Sequence, residues 1–376
     1  LGDVATYING YAFKPEQRGK KGLPIIRIQD LNGNSHDLGF FDGEYPEQVE
    51  INTGDILISW SGSLGVYKWN KGKALLNQHI FKVLFNKIKI DKEYFCYAIR
   101  NSLSSMSQQT HGATMKHITK KDFDNISIPY PDLNEQKKIA NNLNIVNKLI
   151  MFYEKELILF EQMVKARFIE MFGDPIINSF RIETKPMTDV CEIIDGDRGK
   201  NYPTADEFFD EEYCLFLNAK NVTSTGFNFD TCMFVTKEKD EALRNGKLSR
   251  GDIVLTTRGT LGNLAFYTKA IPFEHVRINS GMVILRTKQD VVDEVYFIEQ
   301  FKMQLANIRE KIASGSAQPQ LPISTMNKIN ILIPDIEKQR QFADFVQQVD
   351  KSREEVKKSL EKTQQLYDSL MQEYFG

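Results

Sequence analysis

Apolar residues recur at alternating spacings of four and three along residues 132–174. The stripe is formed by Ile139, Leu143, Val146, Ile150, Tyr153, Leu157, Phe160 and Val164. This heptad pattern predicts a helix that buries one narrow seam against another helix. Asp132 suits the N-cap, with Glu135 as its capping-box partner, and Gly173 and Pro175 end the helix. At about 1.5 Å per residue, roughly 38 residues make a rod about 57 Å long.

The same pattern occurs again at residues 334–376, at a constant offset of about 203 positions. Its seam is formed by Val346, Val349, Arg353, Val356, Leu360, Thr363, Tyr367, Leu370 and Tyr374. We therefore predict that the two helices pair as an antiparallel coiled coil. The predicted interface comprises Leu143, Val146, Ile150, Tyr153, Leu157, Phe160, Val164, Val346, Val349, Val356, Leu360, Tyr367 and Leu370. Because Arg353 and Thr363 weaken the second seam, part of that face is expected to contact another protein.

The stretches before the two helices also repeat, as short apolar runs between turns that predict strands. The matched segments are 1–4 with 187–190, 25–31 with 216–222, 54–57 with 251–254, 61–65 with 258–262 and 80–83 with 282–285. Each copy ends with a helix (93–105; 295–313), a Gly-containing loop (111–114; 314–317) and a strand (126–131; 329–334). We predict an α+β protein with two mostly-β domains, 1–131 and 176–333, separated by long helices at 132–175 and 334–376.

The loops of the two copies are unlike each other. Residues 13–22 and 33–48 show no similarity to residues 197–212 and 226–246. A shared framework with divergent loops is the layout of two binding domains that recognise two different targets.

Composition narrows the class of protein. The net charge of −2 argues against strong autonomous DNA binding, because neutralised phosphates drive that affinity. Residues 1–131 are slightly basic, with 16 Lys and Arg against 13 Asp and Glu. No run of eighteen apolar residues predicts a membrane span, and no signal peptide is recognisable, although the chain starts at Leu1 without Met. The four cysteines form no CxxC pair, so neither a zinc site nor a disulfide framework is indicated and a reducing cytoplasm is expected.

Motifs for catalysis are weak. The PD…ExK spacing at 131–137 is too short for a nuclease metal site, and a strand end with a helix cap explains it better. Residues 195–199 lack the features of a P-loop, so a turn is favoured. The two Gly-x-Leu-Gly loops suit hairpin turns and phosphate nests equally. No amino-methyltransferase motif is present. The five histidines lack ligand spacing; His111 and His117, near Lys116, suit either a DNA contact or a solvated loop.

The order of these motifs resembles the specificity (S) subunit of type I restriction-modification systems. It comprises Gly-Asp-Ile, Gly-Ser-x-Gly, a Gly-Ala/Ser loop, Ile-Pro-x-Pro-x-x-x-Glu-Gln and a long helix ending in Phe-Gly, all present twice. The second copy departs from it at Glu337-Lys338-Gln339. The resemblance implies two target recognition domains, held apart in inverted orientation by an antiparallel helix pair. It also implies a non-catalytic chain that binds double-stranded DNA, two methyltransferase subunits and restriction subunits. No cofactor is expected on this chain; S-adenosylmethionine, ATP and magnesium are expected on the partner subunits.

The predicted DNA contacts follow from loop position. For bases we predict Arg27, Gln29, Asn77 and Gln78 in the first domain, and Asn218, Lys220, Asn221, Arg258 and Asn279 in the second. For phosphates we predict Lys14, Arg18, Lys20 and Lys21 in the first domain, and Arg198 and Lys200 in the second. Because the loops differ, the DNA site should be asymmetric and bipartite.

Two other functions compete with DNA recognition. A coiled-coil scaffold that joins proteins without meeting DNA explains the helices but not the paired domains with divergent loops. A single-chain restriction nuclease would need a metal site and methyltransferase motifs, which the sequence does not supply. Binding to a specific duplex, and cleavage by the purified chain alone, separate these alternatives.

Overall fold

The computed structural model describes residues 1–34, 37–109, 120–313 and 320–376. The chain divides into two compact units. Unit 1 contains Leu1–Glu154 together with Lys357–Gly376, and unit 2 contains Lys155–Val356. Each unit therefore combines one β-rich domain with part of each long helix. No helix among the described residues is long and apolar enough to cross a membrane.

In its described residues, the first domain contains two four-stranded sheets and three α-helices. Its elements are β1 (Thr6–Asn9), β2 (Leu23–Ile26), α1 (Ile28–Leu31), β3 (Phe40–Phe41), β4 (Glu50–Ile51), β5 (Ile56–Ser59), β6 (Gly65–Lys68), β7 (Ala74–Leu76), β8 (Ile80–Leu84), α2 (Lys92–Gln109) and α3 (Lys120–Asp124). One sheet has the antiparallel order β1-β8-β5-β6. The other has the order β3-β2-β7-β4, with β2 and β7 parallel. Apolar residues of the antiparallel sheet pack against α2 through Phe95 and Ile99.

After α4 (Leu133–Phe172), the second domain repeats this plan. Its elements are β9 (Thr184–Pro186), α5 (Met187–Val190), β10 (Cys191–Asp195), β11 (Cys214–Leu217), β12 (Val222–Thr223), β13 (Gly226–Phe227), β14 (Phe234–Val235), α6 (Lys237–Ala242), β15 (Ile253–Thr256), β16 (Leu264–Phe266), β17 (Val276–Ile278), β18 (Met282–Thr287), α7 (Glu294–Ala313), α8 (Ile323–Met326) and β19 (Asn330–Leu332). The sheet β10-β18-β15-β16 matches β1-β8-β5-β6, and the parallel pair β11–β17 matches β2–β7. The chain ends with α9 (Ile336–Phe375).

Three predicted strands differ from the structure. The strand predicted at 25–31 ends at Ile26, because Asp30 accepts a hydrogen bond from the backbone N–H of Arg27 and caps the helical turn α1. The strand predicted at 216–222 is broken by a turn at 218–221 for a similar reason. Residues 126–131 form no strand ladder among the described residues, whereas the equivalent β19 pairs with β9. Strand β9 lies directly before Met187, which corresponds to Leu1 of the first domain.

The two long helices begin as predicted. The Asp132 carboxylate accepts hydrogen bonds from the N–H groups of Asn134 and Glu135 at 2.9 and 3.0 Å. Asp335 caps α9 in the same way, through the N–H of Glu337 at 2.9 Å. Each helix spans 40 residues.

The helices pair in antiparallel fashion, which confirms the predicted fold class. In unit 1 the start of α4 packs against the end of α9, where Leu143 shares a cluster with Tyr367 and Leu370. In unit 2 the end of α4 packs against the start of α9, where Val164 shares a cluster with Val346. All the residues predicted for the interface are buried or half-buried. Arg353, in the weakened part of the second seam, forms an ion pair with Asp350 at 2.7 Å.

A buried glutamine joins each long helix to the domain that precedes it. The Gln136 Oε1 atom accepts a hydrogen bond from the N–H of Asp91 at 2.9 Å, and its Nε2 donates to the carbonyl of Pro131 at 2.8 Å. Gln339 makes the equivalent bonds to Asp293 and Pro334 at 3.0 and 2.8 Å. Both side chains are fully buried. We call this arrangement the glutamine clamp.

Candidate nucleic-acid interface

In the first domain, several strands end at a common edge. Strands β1 and β5 end beside the start of β8, because Asn9 lies opposite Phe81 and Ser59 lies opposite Ile80. The parallel strands β2 and β7 end there too, and the N–H of Asn77 donates to the carbonyl of Ile26 at 3.0 Å. We call this the loop edge of the first domain. The second domain has a matching loop edge, formed by the ends of β10, β11, β15 and β17 and the start of β18.

A close backbone contact fixes both loop edges. A Cβ atom at Gly10 would lie 2.0 Å from the carbonyl oxygen of Asn77, and a Cβ atom at Gly196 would lie 2.2 Å from that of Asn279. No side chain fits at such a distance, so glycine is required at both positions. In the first domain this contact holds the loop after β1 against the loop before β8. In the second domain it holds the loop after β10 against the loop before β18.

The four residues predicted to contact bases in the first domain all lie at its loop edge. Gln29 and Gln78 are exposed there, and Asn77 is half-buried. The Arg27 guanidinium forms an ion pair with Asp30 at 3.0 Å and also donates to the carbonyl of Asp37. These contacts stabilise the loop that contains Arg27. A base contact by Arg27 stays a prediction.

The basic residues predicted to contact phosphates in the first domain do not form one group. Lys14 and Arg18 flank a 3-10 turn at Pro15–Gln17, and Arg18 pairs with Asp37 at 3.6 Å. Lys20 and Lys21 precede β2, so they lie at the opposite end of that strand from the loop edge. A four-residue strand separates those ends by about 13 Å.

In the second domain the loop edge is strongly cationic. Arg258 and Lys200 are exposed, and Arg198 donates from one guanidinium nitrogen to Asp195 at 3.1 Å and to the carbonyl of Ser280 at 3.2 Å. Lys220 is exposed in the turn that follows β11. Asn279, half-buried, accepts a hydrogen bond from the N–H of Gly281 at 2.9 Å.

The prediction that Asn221 contacts a base is wrong. Its side chain is fully buried, and its amide nitrogen donates to the carbonyls of Asn228 and Thr231 at 3.0 and 2.8 Å. Its amide oxygen accepts the N–H of Asn218 at 2.9 Å. These bonds satisfy the whole amide group, so Asn221 supports the loop that presents Asn218 and Lys220.

The two Gly-x-Leu-Gly loops are hairpin turns. Gly62 and Gly259 have φ angles of 67° and 71°, in the left-handed region that turns need. The hydroxyl of Ser59 closes the first turn by donating to the carbonyl of Ser63 at 2.5 Å, and Thr256 donates to Thr260 in the second. Arg258 lies in the second turn, directly before Gly259, and bridges to Gln320.

Some edge residues were missed from the sequence. In the first domain, Trp60 and His79 contact each other edge-on, with ring centroids 4.9 Å apart, and the Trp60 indole donates to Asn9 at 3.3 Å. In the second domain, Arg244 reaches the edge because its backbone N–H donates to Asp197, 47 positions away, at 2.7 Å. Trp60 directly follows β5 and precedes the Ser61-Gly62 turn, and this position in a hairpin could have indicated an edge residue. Nothing in the local sequence indicates Arg244.

The described residues contain neither a metal-binding cluster nor a cysteine of lowered pKa. No group of three or more His, Cys, Asp or Glu side chains could hold a metal ion in residues 1–34, 37–109, 120–313 and 320–376. Burial raises the pKa of Cys96, Cys191 and Cys214 to about 12, so these thiols stay protonated at neutral pH. His36, His111, His117, Lys116 and the loops 111–114 and 314–317 lie outside the described residues.

Comparisons with known proteins agree with this architecture. The family model described as "Type I restriction modification DNA specificity domain" matches residues 1–159 and 181–365. The EcoBI type I restriction enzyme specificity subunit of Escherichia coli is 22% identical over 406 residues, which cover 100% of this chain and 84% of that protein. The MjaVIII specificity subunit of Methanocaldococcus jannaschii is 24% identical over 85% of this chain and 79% of its own. The alternative of a scaffold without DNA recognition gains no support here.

Solved structures share the fold. The S subunit of the type I restriction-modification system from M. genitalium superposes with a TM-score of 0.56 at 18% identity, over 100% of this chain and 94% of its own. A chain from a study of complex assembly and conformational transition of the type I R-M system gives a TM-score of 0.52 at 14% identity, over 99% and 95%. With two matched domains, two paired helices and a family model that covers most of the sequence, the chain belongs to the type I restriction modification DNA specificity domain family.

Proposed function

We propose that this chain is the DNA specificity subunit of a type I restriction-modification complex, and that each domain recognises one half of an asymmetric, bipartite DNA site. One observation carries the proposal. The two domains present loop edges of the same backbone geometry, fixed by Gly10 and Gly196, but line them with different side chains. A shared frame with exchanged contact residues is what recognition of two different half-sites requires.

Equivalent positions show how the half-sites should differ. Ser61 of the first domain corresponds to Arg258 of the second, and Gln78 corresponds to Ser280. An exposed arginine pairs best with the O6 and N7 atoms of guanine, whereas glutamine pairs best with adenine. We therefore propose a guanine contact by Arg258 and an adenine contact by Gln78.

The near-neutral charge fits a chain that works inside an assembly. With a net charge of −2, it neutralises few phosphates by itself. We propose that most of the clamping of the DNA backbone comes from two methyltransferase subunits, and that restriction subunits join this complex. Methylation and cleavage, with their S-adenosylmethionine, ATP and magnesium, would then belong to those partners in the cytoplasm.

An exposed face of α4 supports this assembly. Ile145, Leu149 and Phe152 follow a spacing of four and three and are 51, 43 and 60% exposed. Leu159 and Met163 continue the pattern along the helix. Large exposed apolar side chains at heptad spacing are typical of a helix that binds a protein. We propose that this second stripe docks a methyltransferase subunit, while the first stripe pairs with α9.

The test is a long-read map of adenine methylation in host DNA, with and without this gene, in cells that keep the methyltransferase partner. We expect one asymmetric bipartite motif to disappear with the gene. If every motif persists while the partner stays active, this chain does not direct methylation and the proposal fails.

A further inference from the structure

The second domain contains a pocket beside its loop edge. The loop between Gly196 and the 3-10 turn at Ala205–Glu207 has eight residues, whereas the loop between Gly10 and the turn at Pro15–Gln17 has four. The longer loop encloses a cavity of about 230 Å³, lined by Asp197, Gly199, Lys200, Asn201 and Arg244. We call it the Arg244 pocket.

The walls of the pocket are fixed by hydrogen bonds. The Asp197 carboxylate is buried and accepts the backbone N–H groups of Gly199 and Arg244 at 2.6 and 2.7 Å. The Asn201 amide donates to the carbonyl of Ala242 at 2.9 Å. These bonds tie the loop after β10 to the loop after α6, so the pocket exists before any ligand arrives.

Asp197 is ionised at neutral pH, yet its charge is already engaged. Burial alone would raise its pKa, but the backbone N–H groups of Gly199, Arg244 and Asn245 outweigh that effect and hold the pKa below its usual value. Its two oxygens face the loops that they join. The nearby charge of Arg244 lowers this pKa further, and the carboxylate acts as a structural tie whose hydrogen bonds go to the backbone.

Lys200 and Arg244 supply the cations of the pocket. Both are exposed, and Arg244 interacts electrostatically with Asp197. Two adjacent cations with many donors suit an oxyanion with several acceptor oxygens, and Arg suits a phosphate in particular.

The position of the pocket favours a phosphate of the DNA backbone as its ligand. A Cβ atom at Gly246, two residues after Arg244, would lie 3.3 Å from the Cα of Gly196. The pocket therefore adjoins the loop edge, on the side where Arg198 bonds to the carbonyl of Ser280. If the loop edge contacts bases, phosphates of the same duplex come close to the residues beside that edge.

We propose that the Arg244 pocket binds one phosphate of the DNA backbone and thereby sets the register of the second domain on its half-site. This rests on the proposed DNA recognition. Lys200 and Arg244 are positioning residues in this view, because phosphate contacts orient a protein without reporting sequence. Arg258 would report the sequence.

The test measures DNA binding by the chain assembled with its methyltransferase partner, over a series of salt concentrations. We expect Lys200→Ala and Arg244→Ala each to weaken binding roughly tenfold, on matched and unmatched duplexes alike, and each to reduce the salt slope by about 1. The methylated motif should stay the same. Lys269→Ala, which removes an exposed cation beyond the far end of β16, is the matched control and should have no effect.

The outcomes separate this inference from the proposed function. If wild-type protein binds DNA but both variants bind as well as wild type, the pocket does not hold a phosphate of the duplex. If the variants change the motif, they contact bases and the assignment is also wrong. Arg244-dependent binding of inorganic phosphate with unchanged DNA binding would indicate another phosphate ligand. If the wild-type complex shows no sequence-specific binding at all, the proposed function itself fails.

Discussion

The side-chain oxygen of Gln136 accepts the backbone N–H of Asp91 at 2.9 Å, across 45 positions of sequence. Asp91 directly precedes α2 and caps it through the N–H groups of Glu93 and Tyr94. The Gln136 amide therefore joins the start of α2 to the long helix α4. Gln339 and Asp293 repeat the relationship in the second domain. Because both glutamines are fully buried and make the same bonds, we expect each of them to contribute to stability.

Gln136→Ala and Gln339→Ala should each destabilise the unit that holds the residue. Each change leaves a partly buried N–H and a partly buried carbonyl without the glutamine as partner, and we expect a total cost of about 1–3 kcal/mol. Urea unfolding followed by amide exchange measures the loss unit by unit. Gln162→Ala and Gln347→Ala, at exposed positions of the same helices, are the controls and should have little effect. Equal losses for clamp and control variants would show that the clamp does not contribute to stability.

Gly10→Ala and Gly196→Ala should disturb the loop edges. A methyl group at either position overlaps a backbone carbonyl, and because a carbonyl cannot move aside like a flexible side chain, we expect a cost of about 1–3 kcal/mol and weaker DNA binding. Thermal unfolding and duplex binding report the two effects. Gly19→Ala is the control, since its Cβ would approach nothing closer than 3.7 Å. Normal stability and binding of the Gly10 variant would contradict the close contact.

Arg258→Ser should relax recognition at one base pair of the second half-site. Serine is the residue at the equivalent position of the first domain, so the turn should keep its shape. The loss of a bidentate contact to guanine reduces discrimination by about 1–3 kcal/mol. Methylation mapping should show one degenerate position in that half of the motif and no change in the other half. An unaltered motif would remove Arg258 from the base contacts.

Asp240→Asn should destabilise the second domain near neutral pH. Asp240 is fully buried and bonds to Arg277, whose side chain also donates to the carbonyls of Asn245 and Leu243 at 2.8 and 3.1 Å. Removing one charge of a buried pair costs about 3–5 kcal/mol. The exposed Asp206→Asn is the control. A neutral pair, Asp240→Leu with Arg277→Leu, should be less damaged than the single variant.

The pair of Asp240 and Arg277 should also make the free energy of unfolding depend on pH in the acidic range. Burial tends to raise the pKa of Asp240, but the hydrogen bonds from Lys247 and Arg277 lower it below its ordinary value. A carboxylate with a lowered pKa contributes stability above the unfolded value of about 3.9, and that contribution is lost as pH falls below it. Wild-type stability should therefore fall more steeply below about pH 4 than that of Asp240→Asn. Parallel pH profiles of the two proteins would contradict the assignment.

Phe152→Glu should weaken binding of the methyltransferase subunit and leave the fold intact. The side chain is 60% exposed, so a charge there costs little in the isolated chain. In an interface, loss of a large aromatic anchor costs at least about 2 kcal/mol, or roughly thirtyfold in Kd. Co-purification and calorimetry measure the loss, with Glu154→Ala, an exposed position about 200° around the same helix, as the control. Undiminished binding would place the docking surface elsewhere.

The features that were predictable from sequence depend on local periodicity. The heptad stripes and the aspartate caps gave both long helices to within a few residues, because a helix is determined by contacts three and four positions apart. Gln78 and Arg258 are predicted as contact residues because turn residues mark the ends of the strands before them. Both lie at the loop edges in the structure.

The features that were not predictable depend on contacts between distant residues. Asn221 is predicted to contact a base, and only its bonds to the carbonyls of Asn228 and Thr231 explain why it is buried instead. Arg244 joins the loop edge through a bond to Asp197 that no sequence window contains. The sequence predicts a base contact for Arg27 and gives no sign that Asp30 and the carbonyl of Asp37 bind its guanidinium.

The duplicated glutamine clamp also bears on inheritance. Each clamp is encoded within one continuous gene segment, from Asp91 to Gln136 and from Asp293 to Gln339, and both copies use the same bonds. A recombination event upstream of Asp91 or Asp293 would import a new set of recognition loops while leaving the junction to the helix unchanged. Such a gene can acquire new specificities by exchanging cassettes, because natural selection need not rebuild the frame each time.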